Sequence, residues 1–149
     1  MKKKFFITIT ILAMLVFVWS QFRHFYIVNN TPFTVWKKVG GYCYIIPGRY
    51  YSFKNPKKDY IRVSNTGCLF ICLKKDSTLI VFNNRYIDSD SVYINLKNYK
   101  FEYYSPNPRS LDEIEKWEEM RRSNRANLPF LEVDVREMSA VINDKEQSF

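Results

Sequence analysis

Histidine is almost missing from this chain: His24 is the only one in 149 residues. Ser-His and Cys-His catalysis therefore have a single base to draw on, and it stands directly behind an apolar leader. The three cysteines, Cys43, Cys68 and Cys72, include no Cys-x-x-Cys pair, which leaves zinc without a ligand set. Glycine is scarce as well, and Gly40-Gly41 lacks the spaced glycines and following lysine of a phosphate-binding loop. Between residues 23 and 105 the only carboxylates are Asp59, Asp76, Asp88, Asp90 and Glu102. Asp88-Ser89-Asp90-Ser91 alternates oxygens but has neither the glycine nor the closing glutamate of a calcium loop, so it reads as a polar turn. These shortages point away from an enzyme, and no catalytic, cofactor or metal residue is assigned.

What the chain does have begins at its N-terminus. Lys2, Lys3 and Lys4 precede an apolar run, Phe5 to Trp19, broken only by Thr8 and Thr10. A threonine hydroxyl can bond back to its own helix. The run would be roughly 22 Å long as a helix, short for a hydrocarbon core of about 30 Å. Continuing through Ser20, Gln21 and Phe22 gives about 27 Å, within reach of a thin bilayer. Phe5, Trp19 and Phe22 are then the membrane-segment residues, with Trp19 and Phe22 at the far interface. Two readings stay open, an uncleaved signal-anchor (a transmembrane helix) and a cleaved signal peptide. Val18-Trp19-Ser20 makes a poor cleavage site. In either case the lysines hold the N-terminus in the cytoplasm and residues 23–149 are exported. The expected location is the cell membrane in a single pass, or the secreted or periplasmic space if the leader is removed.

The exported part is long enough for one domain with a core. Its charge is uneven: residues 23–105 hold 13 Lys/Arg against 5 Asp/Glu, net +8, and residues 106–149 are net −3. Lys37-Lys38, Lys57-Lys58 and Lys74-Lys75 fall at expected strand ends, where solvated lysines are ordinary. A basic domain beside a membrane is also drawn to anionic lipid, polysaccharide or an acidic partner. Cys68 and Cys72 would share a strand face about 13 Å apart, beyond disulfide reach. Either Cys43 bridges to one of them, or all three are buried small apolar residues. Asn29-Asn30-Thr31 matches a glycosylation sequon weakly, with Pro32 directly after it.

From residue 23 to 105, short apolar runs separated by turn residues give an all-β domain, an antiparallel β-sandwich or barrel-like ectodomain. Expected strands are Phe25–Val28, Phe33–Val39, Tyr42–Ile46, Arg49–Phe53, Tyr60–Ser64, Cys68–Leu73, Thr78–Phe82, Arg85–Ile87, Val92–Leu96 and Tyr99–Tyr104. Asn29-Asn30, Gly40-Gly41, Pro47-Gly48 and Asn83-Asn84 are turn signals. Cys68–Leu73 is apolar on both faces and reads as a central strand. Residues 106–126 form a linker and an amphipathic helix. Ser110-Leu111-Asp112-Glu113 has capping-box form, and a helix over Leu111–Arg125 carries acids early and Arg121, Arg122 and Arg125 late. Asp112–Lys116 and Glu118–Arg122 are favourable pairs. Residues 127–149 are expected to be extended or partly disordered, with Phe130–Val135 as a possible added strand and fraying from Arg136.

Aromatic residues make up 17% of the chain, eleven of them tyrosines, and this sets the functional expectation. Tyr42, Tyr44, Tyr50, Tyr51, Tyr60, Tyr86, Tyr93, Tyr99, Tyr103 and Tyr104 fall in strand patterns, where their rings suit a platform or a half-buried face. Interleaved Arg49-Tyr50-Tyr51 and Arg85-Tyr86 resemble a single-strand-binding surface in composition, but export argues against nucleic acid. Pilin-type leaders carry a glycine and a glutamate that are missing here. The expected function is non-enzymatic: a membrane-anchored or exported binding or accessory protein of the cell envelope. Candidate partner-binding residues are Tyr42, Tyr44, Arg49, Tyr50 and Tyr51 on a basic β surface, and Ile114 and Trp117 on the helix. An accessory subunit and an immunity-type toxin binder both fit. The alternative is a domain recognising an anionic glycan or lipid surface; a second alternative is an enzyme of unknown type.

Overall fold

Alternation with a period of two dominates residues 23–105 and produces strands with one face in and one face out. The computed structural model describes residues 2–21, 23–38, 42–52, 54–64, 67–83, 92–105 and 110–148. Helix α1 (Lys2–Gln21) leads directly toward β1 (Arg23–Val28). The chain continues through β2 (Thr31–Lys37), β3 (Cys43–Pro47), β4 (Tyr60–Val63), β5 (Cys68–Leu73), β6 (Leu79–Asn83), β7 (Val92–Asn95) and β8 (Phe101–Tyr104). It ends with α2 (Leu111–Asn127), β9 (Phe130–Asp134), β10 (Ser139–Ile142) and β11 (Lys145–Ser148). Among the described residues the protein is thus mainly β, with two helices.

The strands form two sheets, ordered β1-β2-β3-β4-β7 and β11-β10-β9-β5-β6-β8. Every pairing in the first is antiparallel. In the second, β6 and β8 run parallel, contrary to the expectation of antiparallel neighbours throughout. Inward residues of both sheets join in one cluster: Val28, Phe33, Val35, Ile45, Ile61 and Val63 from the first, and Leu69, Ile71, Val81, Leu131 and Val133 from the second. Each such side chain removed from water contributes about 1.5–3 kcal/mol before ordering costs. β5 lies between β9 and β6, as its two apolar faces suggested.

Several turns follow their residue chemistry. Asn29 and Asn30 take φ of 46° and 64°, the left-handed pair that a two-residue hairpin needs, so Thr31 and Pro32 already belong to β2. Gly48 takes φ of +100°, where a side chain would be strained. Arg49–Phe53 was expected as a strand, but residues 49–52 form none. The Arg23 guanidinium and the Thr34 hydroxyl bind this segment instead, so its hydrogen bonds go to side chains rather than a neighbouring strand. The Gly40-Gly41, Arg85–Ile87 and Asp88–Ser91 expectations lie outside the described residues, as do Tyr86, Asn84 and Phe22.

A larger correction concerns the C-terminus. In place of a fraying tail, β9 inserts beside β5, and β10 and β11 extend the sheet from it. β9 is the added strand expected over Phe130–Val135, and its Glu132 is held by Arg121 at 2.5 Å and Arg125 at 3.1 Å, both from α2. That helix starts where expected, with Ser110 Oγ accepting the Glu113 amide, and runs two residues beyond the expected end. Its Trp117 enters a second cluster with Phe70, Cys72, Ile80, Phe82 and Phe130 on the outer face of the second sheet.

Helix α1 forms over the expected leader, and Thr10 Oγ1 donates to the Phe6 carbonyl at 2.9 Å, the back-bond its position allowed. Side chains of residues 5–16 and of Val18 are all exposed, Phe5, Phe6, Leu12 and Leu15 among them. Among the described residues no helix is long and apolar enough to cross a membrane, so the expected transmembrane helix is met only as a short exposed apolar helix. The Trp19 side chain lies outside the described set.

Candidate binding surface

Parity along each strand decides what faces outward from the first sheet. Phe33 and Val35 turn inward on β2, so Trp36 turns outward; Ile61 and Val63 do the same on β4 and send Tyr60 and Arg62 out. Register then lines these residues up. Arg23 pairs with Trp36, Trp36 with Tyr44, Tyr44 with Arg62 and Arg62 with Tyr93, a single row across all five strands. Such directly opposed side chains lie close enough to interact.

The contacts along this row are aromatic and cationic. The Arg23 guanidinium lies 4.0 Å from the Trp36 ring centre, with Lys38 Nζ at 5.5 Å from the same ring. Trp36 meets Tyr44 at 5.9 Å and Tyr50 at 6.1 Å, and Tyr44 meets Tyr60 at 5.5 Å. Arg62 lies between two tyrosines, 4.3 Å from Tyr42 and 5.2 Å from Tyr93. A guanidinium over an electron-rich ring face is attracted to its quadrupole, more strongly where water is excluded.

Not all of the row is available to a ligand. Arg23 is buried, and it donates to the Tyr50 carbonyl at 2.8 Å and the Ser52 carbonyl at 3.0 Å. Burial pulls its pKa below the ordinary arginine value, partly countered by Tyr50. Thr34 Oγ1 donates to the Gly48 carbonyl and accepts from the Tyr50 amide, fixing the same segment over the sheet. Tyr50 OH donates to the Lys54 carbonyl, and Lys38 Nζ to Asn55 Oδ1 at 2.8 Å. Trp36 and Tyr44 are buried beneath this strap. Tyr42 is exposed at 45%, Tyr51 at 56% and Tyr93 at 48%, and Arg49 is also exposed. Arg62 is half-buried and has no hydrogen bond or ion pair among the described residues.

The sequence candidates are therefore sorted. Tyr42, Tyr44, Tyr50 and Tyr51 do gather on one face, with Arg49 at the far turn, and Tyr60 and Tyr93 join them. Tyr99 packs on the inner cluster and Tyr104 stacks on Phe82 in the second sheet, so the tyrosines do not make one platform. Trp117 is 8% exposed and meets Phe82 edge-on at 6.2 Å, and Ile114 is half-buried, so this helix face is turned to its own sheet. A recess of about 180 Å³ beside it is lined by Tyr104, Glu113, Lys116, Trp117 and Met120. Arg23, Trp36 and Arg62 were missed. Their outward parity was present in the sequence, but only strand register puts them in one row.

Cys43, Cys68 and Cys72 are free thiols, each pushed up to about 12 by burial. Cys43 faces the inner cluster while Cys72 faces α2 on the far side of the second sheet. Among the described residues no group of three His, Cys, Asp or Glu side chains could hold a metal ion. Comparison with known protein families, characterised proteins and solved structures finds no match.

Proposed function

We propose that this chain is a non-enzymatic binding or accessory protein of the cell envelope, delivered to the membrane by α1 and acting by adhesion. In this reading α1 is a signal-anchor or a signal peptide, and the two sheets with their shared inner cluster are a β-sandwich. The observation that carries it is the aromatic and cationic row on the first sheet, where Arg62 and Tyr93, with Tyr42 packed beside Arg62, reach solvent. Exposed tyrosine and arginine contribute most strongly to binding energy at protein interfaces. Trp117 is engaged within the chain, so the helix contributes less than the sheet face.

Site-specific photo-crosslinking in native envelope membranes tests this. A p-benzoylphenylalanine in place of Tyr51 or Tyr93 should capture a discrete macromolecular species, and one in place of Asn127 should not. Capture from position 127 with none from positions 51 and 93 would overturn the assignment of the surface.

A further inference from the structure

We infer that the end of the first sheet nearest α1 docks on an anionic phospholipid surface, with Arg62, Lys38, Tyr42 and Tyr93 at the headgroups. This rests on the membrane-delivered reading above and names what the surface meets. Arg23, two residues beyond the end of α1, opens β1, and its cross-strand row is the one that contains Arg62 and Tyr93. One step closer to that end, Lys37 stands opposite Cys43, and Lys38 and Tyr42 follow in the connection, joined by the Lys38 amide to the Tyr42 carbonyl. Chain continuity therefore brings this row, whatever the angle between helix and sheet, to the place where an apolar helix leaves the lipid.

Charge supports the same occupant. Residues 23–63 carry eight Lys/Arg and one carboxylate, Asp59; Lys38 and Arg62 face outward at this end, while Arg49, Lys57 and Lys58 lie at the other. That carboxylate lies at the opposite end of the sheet, where it accepts from the Lys97 and Asn98 amides. Arg62 meets only aromatic rings among the described residues, so its guanidinium is open to a phosphate oxygen. Tyrosine rings flanking basic side chains match the depth profile of a bilayer interface, where an amphipathic ring sits at headgroup level and cations face anionic lipid. The exposed apolar surface of α1 needs the same environment.

The test uses the full chain reconstituted in lipid nanodiscs, neutral phosphatidylcholine against discs containing phosphatidylglycerol. A p-benzoylphenylalanine in place of Tyr42 should form lipid adducts several-fold more in the anionic discs, while one in place of Arg49, at the far turn, forms few in either. Raising salt from about 50 mM to about 500 mM should remove most of the anionic preference. Arg62→Gln with Lys38→Gln should lower it about fivefold per cation, with the melting temperature as a check on folding. If that variant loses its fold, the salt series on the unaltered chain decides. Equal yields in neutral and anionic discs, or yields indifferent to salt, overturn the inference. Capture of protein or polysaccharide in native membranes without lipid adducts in discs leaves the binding function standing and removes the lipid. Capture of neither removes both.

Discussion

The Arg23 guanidinium lies 4.0 Å above the Trp36 ring while donating to two carbonyls of the segment that crosses the sheet, those of Tyr50 and Ser52. One side chain thus joins an edge strand, the strand beside it and the strap that replaced an expected strand. Lysine keeps the charge but has no planar fork to stack and to reach two acceptors at once. Arg23→Lys should therefore destabilise the protein by about 1–3 kcal/mol, through weakened charge-assisted hydrogen bonds and a lost stack. Urea unfolding monitored by tryptophan fluorescence measures this. A midpoint equal to that of the parent protein would mean that the strap is held by other contacts.

Trp117 sits among Phe70, Phe82 and Phe130, and its indole Nε1 is buried with no hydrogen-bond partner among the described residues. Two effects of different size follow. Truncation to alanine opens a cavity and should cost about 3–5 kcal/mol. Phenylalanine keeps most of the apolar contact and removes the unpaired donor, so Trp117→Phe should cost under about 2 kcal/mol. Leu111, 77% exposed on the same helix, should be near neutral as Leu111→Ala. Chemical denaturation of the three variants ranks them, and a Trp117→Ala loss as small as that of Leu111→Ala would show that α2 is not docked on the second sheet.

Local chemistry made much of this legible. The Asn29-Asn30 hairpin, the Ser110 cap and the doubly apolar β5 all follow from residues within a few positions of one another. What stayed hidden depends on distant partners. Phe130–Val135 reads as a strand candidate, but its place beside β5 and the pairing of Glu132 with Arg121 and Arg125 depend on residues far off in the chain. The β8 pattern is the same in either direction, so nothing in it announces a parallel pairing with β6. Tyr50 and Tyr51 alternate like strand residues, yet Arg23, some 27 positions earlier, draws that backbone out of the sheet. The aromatic and cationic row has the same character: outward parity can be read from each strand, but register across five strands cannot.

Burial sets the behaviour of the three thiols. Cys43, Cys68 and Cys72 each sit near 12, desolvation being the largest cause, so thiolate is scarce at any ordinary pH. Cys43 is separated from the other two by the packed second sheet. Ellman's reagent at mildly alkaline pH should react with the native protein far more slowly than with the denatured one. Cys43 and Cys72, both fully covered, should be the slowest. Non-reducing gels of the protein should show no intramolecular bridge to Cys43. One rapidly modified thiol in the native state would show that α2 or a sheet edge opens readily.

Asp59 offers a pH signature. Its Oδ1 accepts the Lys97 amide at 2.8 Å and the Asn98 amide at 2.7 Å, and its Oδ2 accepts Asn98 Nδ2 at 2.6 Å. Desolvation pushes its pKa up, but the hydrogen bonds from Asn98 and Lys97 outweigh it, and the carboxyl lies below its ordinary value. A folded-state pKa below the unfolded one means that the stabilisation is fully present above the unfolded value, near 3.9, and is lost as pH falls through the folded one. The residue also holds a φ of 56°, which asparagine tolerates nearly as well as aspartate. Asp59→Asn should therefore lower the melting temperature modestly at neutral pH, and the gap to the parent protein should narrow as pH falls through the lowered folded-state value of the carboxyl. Thermal melts of both proteins across the acid range measure this. A gap that keeps its full size into strong acid would mean the loop joining β7 to β8 is stabilised by shape alone, without help from the carboxylate charge.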